Sequence, residues 1–102
     1  MLSPLDGPAK QDVVSVDNIT VVEVKVDATP MVDRKVVSLQ ADGKFRVYFG
    51  DGTNIPNAAL LLSDGIKQPK DTLRSYEAGG AQQVFVLSDT GASINVTIVE
   101  RA

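Results

Sequence analysis

Apolar and polar residues alternate with a period of two along much of this chain of 102 residues. The clearest run is Val22–Asp27, in which three valines occupy one side of an extended backbone and three charged residues occupy the other. This period is that of a β-strand with one buried and one solvated face. Most of the apolar residues are Val, Ile, Leu and Ala, and stiff β-branched side chains pack well on a sheet. We therefore predict an all-β protein.

Residues 36–49 carry the strongest hairpin pattern in the chain. A two-residue loop at Asp42 and Gly43 would place Leu39 opposite Arg46 and mix the two faces. A three-residue loop over residues 41–43 instead keeps the large apolar side chains on one face, with Gly43 in the left-handed position that such loops use. The pairs predicted by this longer loop are Leu39 with Phe45 and Val37 with Val47.

A second hairpin is predicted near the C-terminus, with residues 89–91 as its loop and Gly91 in the left-handed position. Phe85 and Leu87 fall on the opposite face of this hairpin from the paired valines. Apolar groups on both faces indicate an inner strand, or a strand whose outer face is covered by a partner. The predicted facing residues are Val84 and Val86 on one strand and Ile94 and Val96 on the other.

The segment between the two hairpins is less regular. We interpret Ala58–Leu62 as a short strand in preference to a helical turn, and Thr72–Glu77 as another short strand. The pairs Asp51-Gly52 and Asp64-Gly65 mark turns. Short strands separated by turns at intervals of about 8–12 residues indicate a single antiparallel β-sandwich or barrel, which we assign to residues 12–102.

Residues 1–11 hold two prolines, one glycine and no periodicity, so we predict an extended N-terminal arm. The charges are scattered singly, with 10 Lys and Arg against 13 Asp and Glu and a net charge of −3. Neither nucleic-acid binding nor attachment to an anionic membrane is expected without clustered cations. The start of the chain lacks a signal-peptide pattern and cysteine is absent, so we expect a soluble protein made in a cytoplasm.

Catalysis is not expected, because the chain has no His and no Cys and so lacks the usual general base and nucleophile pairs. We interpret Asp51 and Gly52 as a turn, since the residues that follow do not continue a calcium-loop pattern. A Lys–Asn cross-link between a lysine and Asn95, activated by Glu100, is disfavoured because the lysines occupy predicted outward or loop positions. No cofactor or metal is predicted.

The second half of the chain, from PNAALLLSDG through SYEAGG and QQVFVLS to INVTIVERA, resembles small all-β virion proteins of tailed bacteriophages, often grouped as head decoration or cement proteins. This resemblance implies a structural protein that binds and stabilises the capsid surface of a virion assembled in a host cytoplasm. It also implies the major capsid protein and neighbouring copies of the chain as partners, with a trimer favoured.

The resemblance carries over no individual functional residue, so the candidate contact residues come from the pattern of the chain. We hypothesise that the arm reaches the capsid or a neighbouring copy through Met1, Leu2, Pro4 and Leu5, and that deleting residues 1–11 weakens attachment without unfolding the domain. Tyr48 is the aromatic ring expected to be exposed. The alternative is a receptor- or carbohydrate-binding module of a tail fibre or adhesin, and a third interpretation is a bacterial immunoglobulin-like spacer.

Overall fold

The structure is a computed structural model, and it describes residues 9–27, 31–52 and 55–102. These residues form eight β-strands and one short helix. In chain order the elements are β1 (Ala9–Val16), β2 (Val22–Glu23), β3 (Val36–Ala41), β4 (Phe45–Phe49), α1 (Ala58–Asp64), β5 (Ile66–Gln68), β6 (Arg74–Glu77), β7 (Val84–Ser88) and β8 (Ile94–Arg101).

The strands form two antiparallel four-stranded sheets that pack face to face. The first sheet has the order β1-β8-β3-β6 and the second the order β2-β7-β4-β5. The predicted all-β sandwich is therefore confirmed, and the sheets do not close into a barrel. The predicted strand at Thr72–Glu77 is present as β6, whereas the long strand expected over Val22–Asp27 is only two residues, in β2.

The core lies between the two sheets and consists mainly of valines, as the alternation predicted. Alternate residues of β3 and β8 point inward from the first sheet, and alternate residues of β4 and β7 meet them from the second. The fully buried members of this cluster include Val37, Leu39, Val47, Val86, Val96 and Ile98.

Both predicted hairpins are wrong in the same way. β3 and β4 lie in different sheets, and so do β7 and β8, so each connection crosses the core as an arch. Leu39 and Phe45 are both buried in the core, but they lie in different sheets and are not a cross-strand pair. The apolar pattern cannot separate these arrangements, because a hairpin and an arch bury the same faces of the same strands.

The two loop glycines differ in their roles. Gly91 has a positive φ of 79°, as predicted, whereas Gly43 does not adopt the left-handed conformation. A Cβ atom at Gly43 would lie 2.5 Å from the Cγ2 atom of Ile94. The glycine in the first arch is therefore required by the close approach of Ile94 at the start of β8 and not by its φ angle.

The expected strand at Ala58–Leu62 is also wrong, because this segment begins α1. Asn57 caps the helix: its side-chain oxygen accepts a hydrogen bond of 2.8 Å from the backbone N–H of Leu60. Leu61 then packs against Phe85 and Leu87 on the outer face of β7. Of the two alternatives predicted for this strand, the structure shows the inner strand: β7 lies between β2 and β4, and its outer face is covered by this helix.

Candidate interaction surfaces and a buried polar cluster

The predicted contact residues fall in different parts of the chain. Met1, Leu2, Pro4 and Leu5 lie outside the described residues. The predicted arm is too long at its C-terminal end, because Ala9–Gln11 form the first part of β1 and pair with Val99–Arg101 of β8. The polar composition of residues 9–11 concealed this strand, since side chains at the exposed end of an edge strand need not alternate in hydropathy.

Strand β1 is an edge of the first sheet, and it is exposed over most of its length. Residues 9–13 are all exposed, including Val13 at 55%. The Lys10 ammonium donates a hydrogen bond to the Asp27 carboxylate and forms an ion pair with it. The hydrogen bond is the larger cause, and the charge of Asp27 the smaller one, of a raised pKa of Lys10. Val13 donates its backbone N–H to the carboxylate of Asp12 at 2.8 Å. The open edge therefore carries one basic and one acidic side chain two residues apart.

Tyr48 does not stand free on an open face as expected. It is half-buried and packs against the cluster formed by α1 and the outer face of β7. Its ring lines a depression of about 280 Å³ together with Ile55, Asn57 and Leu60. Ile55 is 73% exposed and adds an apolar side chain to a lining of mixed polarity that also includes Asp51 and Asn57. The alternation correctly placed Tyr48 on the outer side of β4, but the helix that covers this side was missed.

A groove of about 440 Å³ runs along the outer face of the second sheet between β4 and β5. Arg46 and Lys67 are direct cross-strand neighbours in this groove, and Lys44 lies at its end. Arg46 is neutralised by Asp89, with 2.9 Å between Nε and Oδ2. Neither lysine has an ion-pair partner in the described part of the chain. The groove is thus a small basic surface on a chain of negative net charge.

At the opposite end of the sandwich from the Gly43 arch, Arg34 and Glu100 form an ion pair whose side chains are both 0% exposed. Nη1 of Arg34 lies 2.8 Å from Oε2 of Glu100. The carboxylate also accepts backbone N–H groups from Val26 at 3.0 Å and Met31 at 3.2 Å. Glu100 therefore joins β8 to the segment that connects β2 with β3.

Arg34 uses all five of its donor hydrogens. Apart from Glu100, every acceptor is a backbone carbonyl, and most of these lie in the connection between β6 and β7. The acceptors are Ala78 at 2.9 Å, Val24 at 3.2 Å, Gly79 at 3.1 Å and Gln82 at 2.8 Å. A guanidinium with no free donor has a structural role, since it holds three separate segments together at one end of the fold. We call Arg34, Glu100 and the backbone groups that they bind the Arg34 cluster.

The Arg34 cluster was not predicted from the sequence. The alternation singled out no role for Arg34, and Glu100 entered only as part of a disfavoured cross-link. The two residues are 66 positions apart, so no local spacing links them. A local signal was present in β8. Glu100 follows Ile98 on the inward side of this strand, and a charged side chain buried there requires a partner.

A second polar contact bridges the two sheets near the basic groove. The amide of Gln68 is buried, and its nitrogen donates to the Leu39 carbonyl oxygen at 2.7 Å. Its oxygen accepts the Tyr76 hydroxyl at 2.8 Å. Burial raises the pKa of this phenol, and its ring meets Phe49 edge to face with 5.8 Å between centroids. Tyr76 is therefore a packing residue.

Two further findings concern chemistry within residues 9–27, 31–52 and 55–102. These residues contain no group of three or more acidic side chains that could hold a metal ion. No helix formed by them is long and apolar enough to span a membrane. The buried charged groups of the Arg34 cluster are saturated by internal contacts, so they offer no free acid or base to a substrate.

Comparison with known proteins adds no relative: no family model, no curated protein and no solved structure matches the chain. Candidate surfaces for function among the described residues include the open edge of β1, the depression beside Tyr48 and the basic groove between β4 and β5.

Proposed function

We propose that this chain is a structural virion protein that binds and stabilises the outer surface of a bacteriophage capsid, acting by binding and not by catalysis. Its partners are the major capsid protein and neighbouring copies of itself, and it reaches the capsid after synthesis in the host cytoplasm. The resemblance in the second half of the chain, which favours a trimer, is the origin of this proposal. The β-sandwich fold is compatible with it.

The observation that carries the proposal is the position of β1. This strand is an exposed sheet edge, and the apolar residues Met1, Leu2 and Leu5 precede it directly in sequence. A sheet edge presents unpaired backbone groups, and such edges bind extended segments of other chains. An apolar segment joined to a binding edge supplies two adjacent contacts for a partner surface.

Stabilisation of a shell by such a protein follows from mass action. A protein that binds the assembled capsid and not its separated subunits adds free energy at every equivalent site. Each contact can be modest, because the capsid repeats it many times. The Arg34 cluster suits this role, since it fixes one end of the sandwich as a rigid support.

The carbohydrate-binding alternative receives less support from the described residues. A sugar platform normally presents an exposed aromatic ring, and Tyr48, the candidate for that ring, packs against α1. Tyr76 donates its hydroxyl to Gln68 and lies against Phe49. The decoration proposal is therefore the one we carry forward.

The test uses empty capsids of the phage whose genome encodes the chain. Purified chain is mixed with these capsids, the capsids are pelleted, and the bound copies are counted. We expect saturable binding and a higher temperature of capsid disruption. The truncation should begin at Ala9, because removal of residues 9–11 would also delete part of β1.

Truncation to Ala9 should leave the urea midpoint of the isolated domain unchanged and lower capsid occupancy. Replacement of Leu2 and Leu5 by aspartate in the full chain is the matched variant, since it keeps the segment and removes its apolar groups. Full occupancy by both variants would refute the role of this segment. Absence of any binding by the unmodified chain, or a genome without capsid genes, would refute the proposed function.

A further inference from the structure

The direction in which the backbone groups of β1 point can be worked out from its neighbours. Asp42 donates its N–H to the carbonyl of Asn95, so Asn95 and alternate residues of β8 face β3. The intervening residues of β8 face β1, and these pair with Lys10, Asp12, Val14 and Val16. The backbone groups of residues 9, 11, 13 and 15 therefore point to the open edge.

The hydrogen bond from Val13 to the Asp12 carboxylate agrees with this assignment, because a side chain satisfies the N–H that no strand does. The last residues of β1 are less accessible. Val16 is fully buried, and the next residue, Asp17, accepts a hydrogen bond from Ser88 of the second sheet. The usable edge is thus Ala9–Val13, five exposed residues with three outward backbone positions.

A two-fold axis perpendicular to the sheet is the symmetry that joins two identical edges. It keeps the core side of one sheet on the core side of the other, so residues opposite each other must share a face. Two paired residues share a face only if both have odd numbers or both have even numbers. The two-fold axis must therefore pass beside a residue and not between two residues. A centre at Asp12 places two carboxylates opposite each other, and a centre at Val13 places Lys10 opposite the buried Val16.

A register centred on Gln11 places opposite charges across from each other. It places Lys10 of one copy opposite Asp12 of the second copy, twice, and Ala9 opposite Val13. The outward backbone groups of residues 9, 11 and 13 meet in this register, so the pairs at these positions are the hydrogen-bonded ones. The Val13 N–H then exchanges the Asp12 carboxylate for the Ala9 carbonyl of the second copy, which frees Asp12 for Lys10. Opposite charges directly across an antiparallel pair are favourable, and like charges are unfavourable.

We propose that two copies of this chain pair antiparallel through β1, centred on Gln11, and form one continuous eight-stranded sheet. The occupant of the open edge is a second copy of the same strand, selected by the two Lys10–Asp12 pairs. This inference rests on the part of the proposed function in which copies contact one another, and it specifies a two-fold contact where the resemblance favours a trimer.

The test is sedimentation equilibrium on the purified chain, without capsids, over a range of concentrations. We expect a reversible species of twice the chain mass of 10.8 kDa. K10D alone and D12K alone each place like charges across the axis, so each should raise the dimer Kd roughly tenfold or more. An equimolar mixture of K10D and D12K should form a heterodimer, because both cross-strand pairs are then complementary.

Two controls separate the interface from the fold. Q11P removes an outward N–H and should abolish the dimer while leaving the urea midpoint of the domain nearly unchanged. D27N removes the ion pair with Lys10 inside one copy and should leave the dimer intact. If Q11P does not fold, the mixing experiment decides the question.

A monomer at all concentrations, a mass of three chains, or a dimer that survives both K10D and D12K would overturn the proposal. Capsid binding by a strictly monomeric chain would overturn the two-fold contact and leave the proposed function standing. A dimer that fails to bind capsids would do the reverse.

Discussion

Replacement of Arg34 by methionine removes the centre of the Arg34 cluster and keeps a side chain of similar length. The variant leaves the Glu100 carboxylate buried with two backbone N–H partners and no counter-charge. It also removes the donor from four backbone carbonyls, those of Val24, Ala78, Gly79 and Gln82. We expect this single change to be among the most destabilising in the chain.

The magnitude follows from the burial of the pair. Breaking a fully buried ion pair by removing one partner costs about 3–5 kcal/mol, because the remaining charge is uncompensated. The five lost hydrogen bonds do not add a separate full cost each, since the bonds to Gly79 and Gln82 are only partly buried and water can replace them there. A loss of about 3–5 kcal/mol is a large part of the free energy of unfolding, which is about 5–15 kcal/mol for a typical domain.

Urea denaturation followed by circular dichroism measures this loss at low protein concentration. The midpoint should fall with little change in slope, and the melting temperature should fall by at least about 12 °C. K35M is the matched control, because Lys35 is the exposed neighbour of Arg34 and has no ion pair among the described residues. R34K should be intermediate, since an ammonium group cannot reach five acceptors. A loss below about 1 kcal/mol for R34M would refute the assigned role of the cluster.

Two further predictions concern the arches and the loop after β1. G43A should destabilise the domain by about 1–3 kcal/mol, because the new methyl group overlaps the stiff Ile94 side chain; an unchanged urea midpoint would contradict the close approach of the two arches. The backbone N–H groups of Thr20 and the residue before it hold the pKa of Asp17 below its usual value. The stability from this contact should therefore be present above the ordinary carboxyl pKa and be lost as pH falls through the lowered one. Carbon-13 NMR of the Asp17 carboxyl group measures that pKa, and titration at the ordinary value would contradict the hydrogen bonds.

The faces of the strands were predictable because burial depends on local alternation. Leu39, Phe45 and Val47 were assigned to one buried face, and all three are buried in the core. Phe85 and Leu87 correctly indicated a strand with a second covered face. Each of these predictions needed only the period of the pattern and not the identity of the neighbouring strand.

The helix was missed although a local signal was present. Pro56 and Asn57 before AALLL form a helix start, because proline restricts the preceding backbone and asparagine caps the first turn. The run was read as a strand because short apolar segments fit either structure. Tertiary packing shows the outcome: Leu61 of the helix lies in one cluster with Phe85, which is 1% exposed, and so the helix covers the outer face of β7.

Tyr48 and the Arg34 cluster depend on contacts that no local pattern encodes. Tyr48 was placed on the correct side of β4, but its exposure depends on a helix that begins ten residues later. Arg34 and Glu100 meet only after β3 and β8 have paired. Candidate sites predicted from alternation alone therefore indicate a side of a strand, and not the solvent exposure of that side.

The amino-acid sequence determined the fold class, the positions of most strands and the buried side of the strands with clear alternation, because all three follow from a two-residue period. Strand partners depended on the tertiary structure. A hairpin and a core-crossing arch bury the same side chains, and the choice between them depends on packing between residues distant in the chain. The open edge of β1 and the buried ion pair are consequences of that choice, since both exist only once β8 lies between β1 and β3.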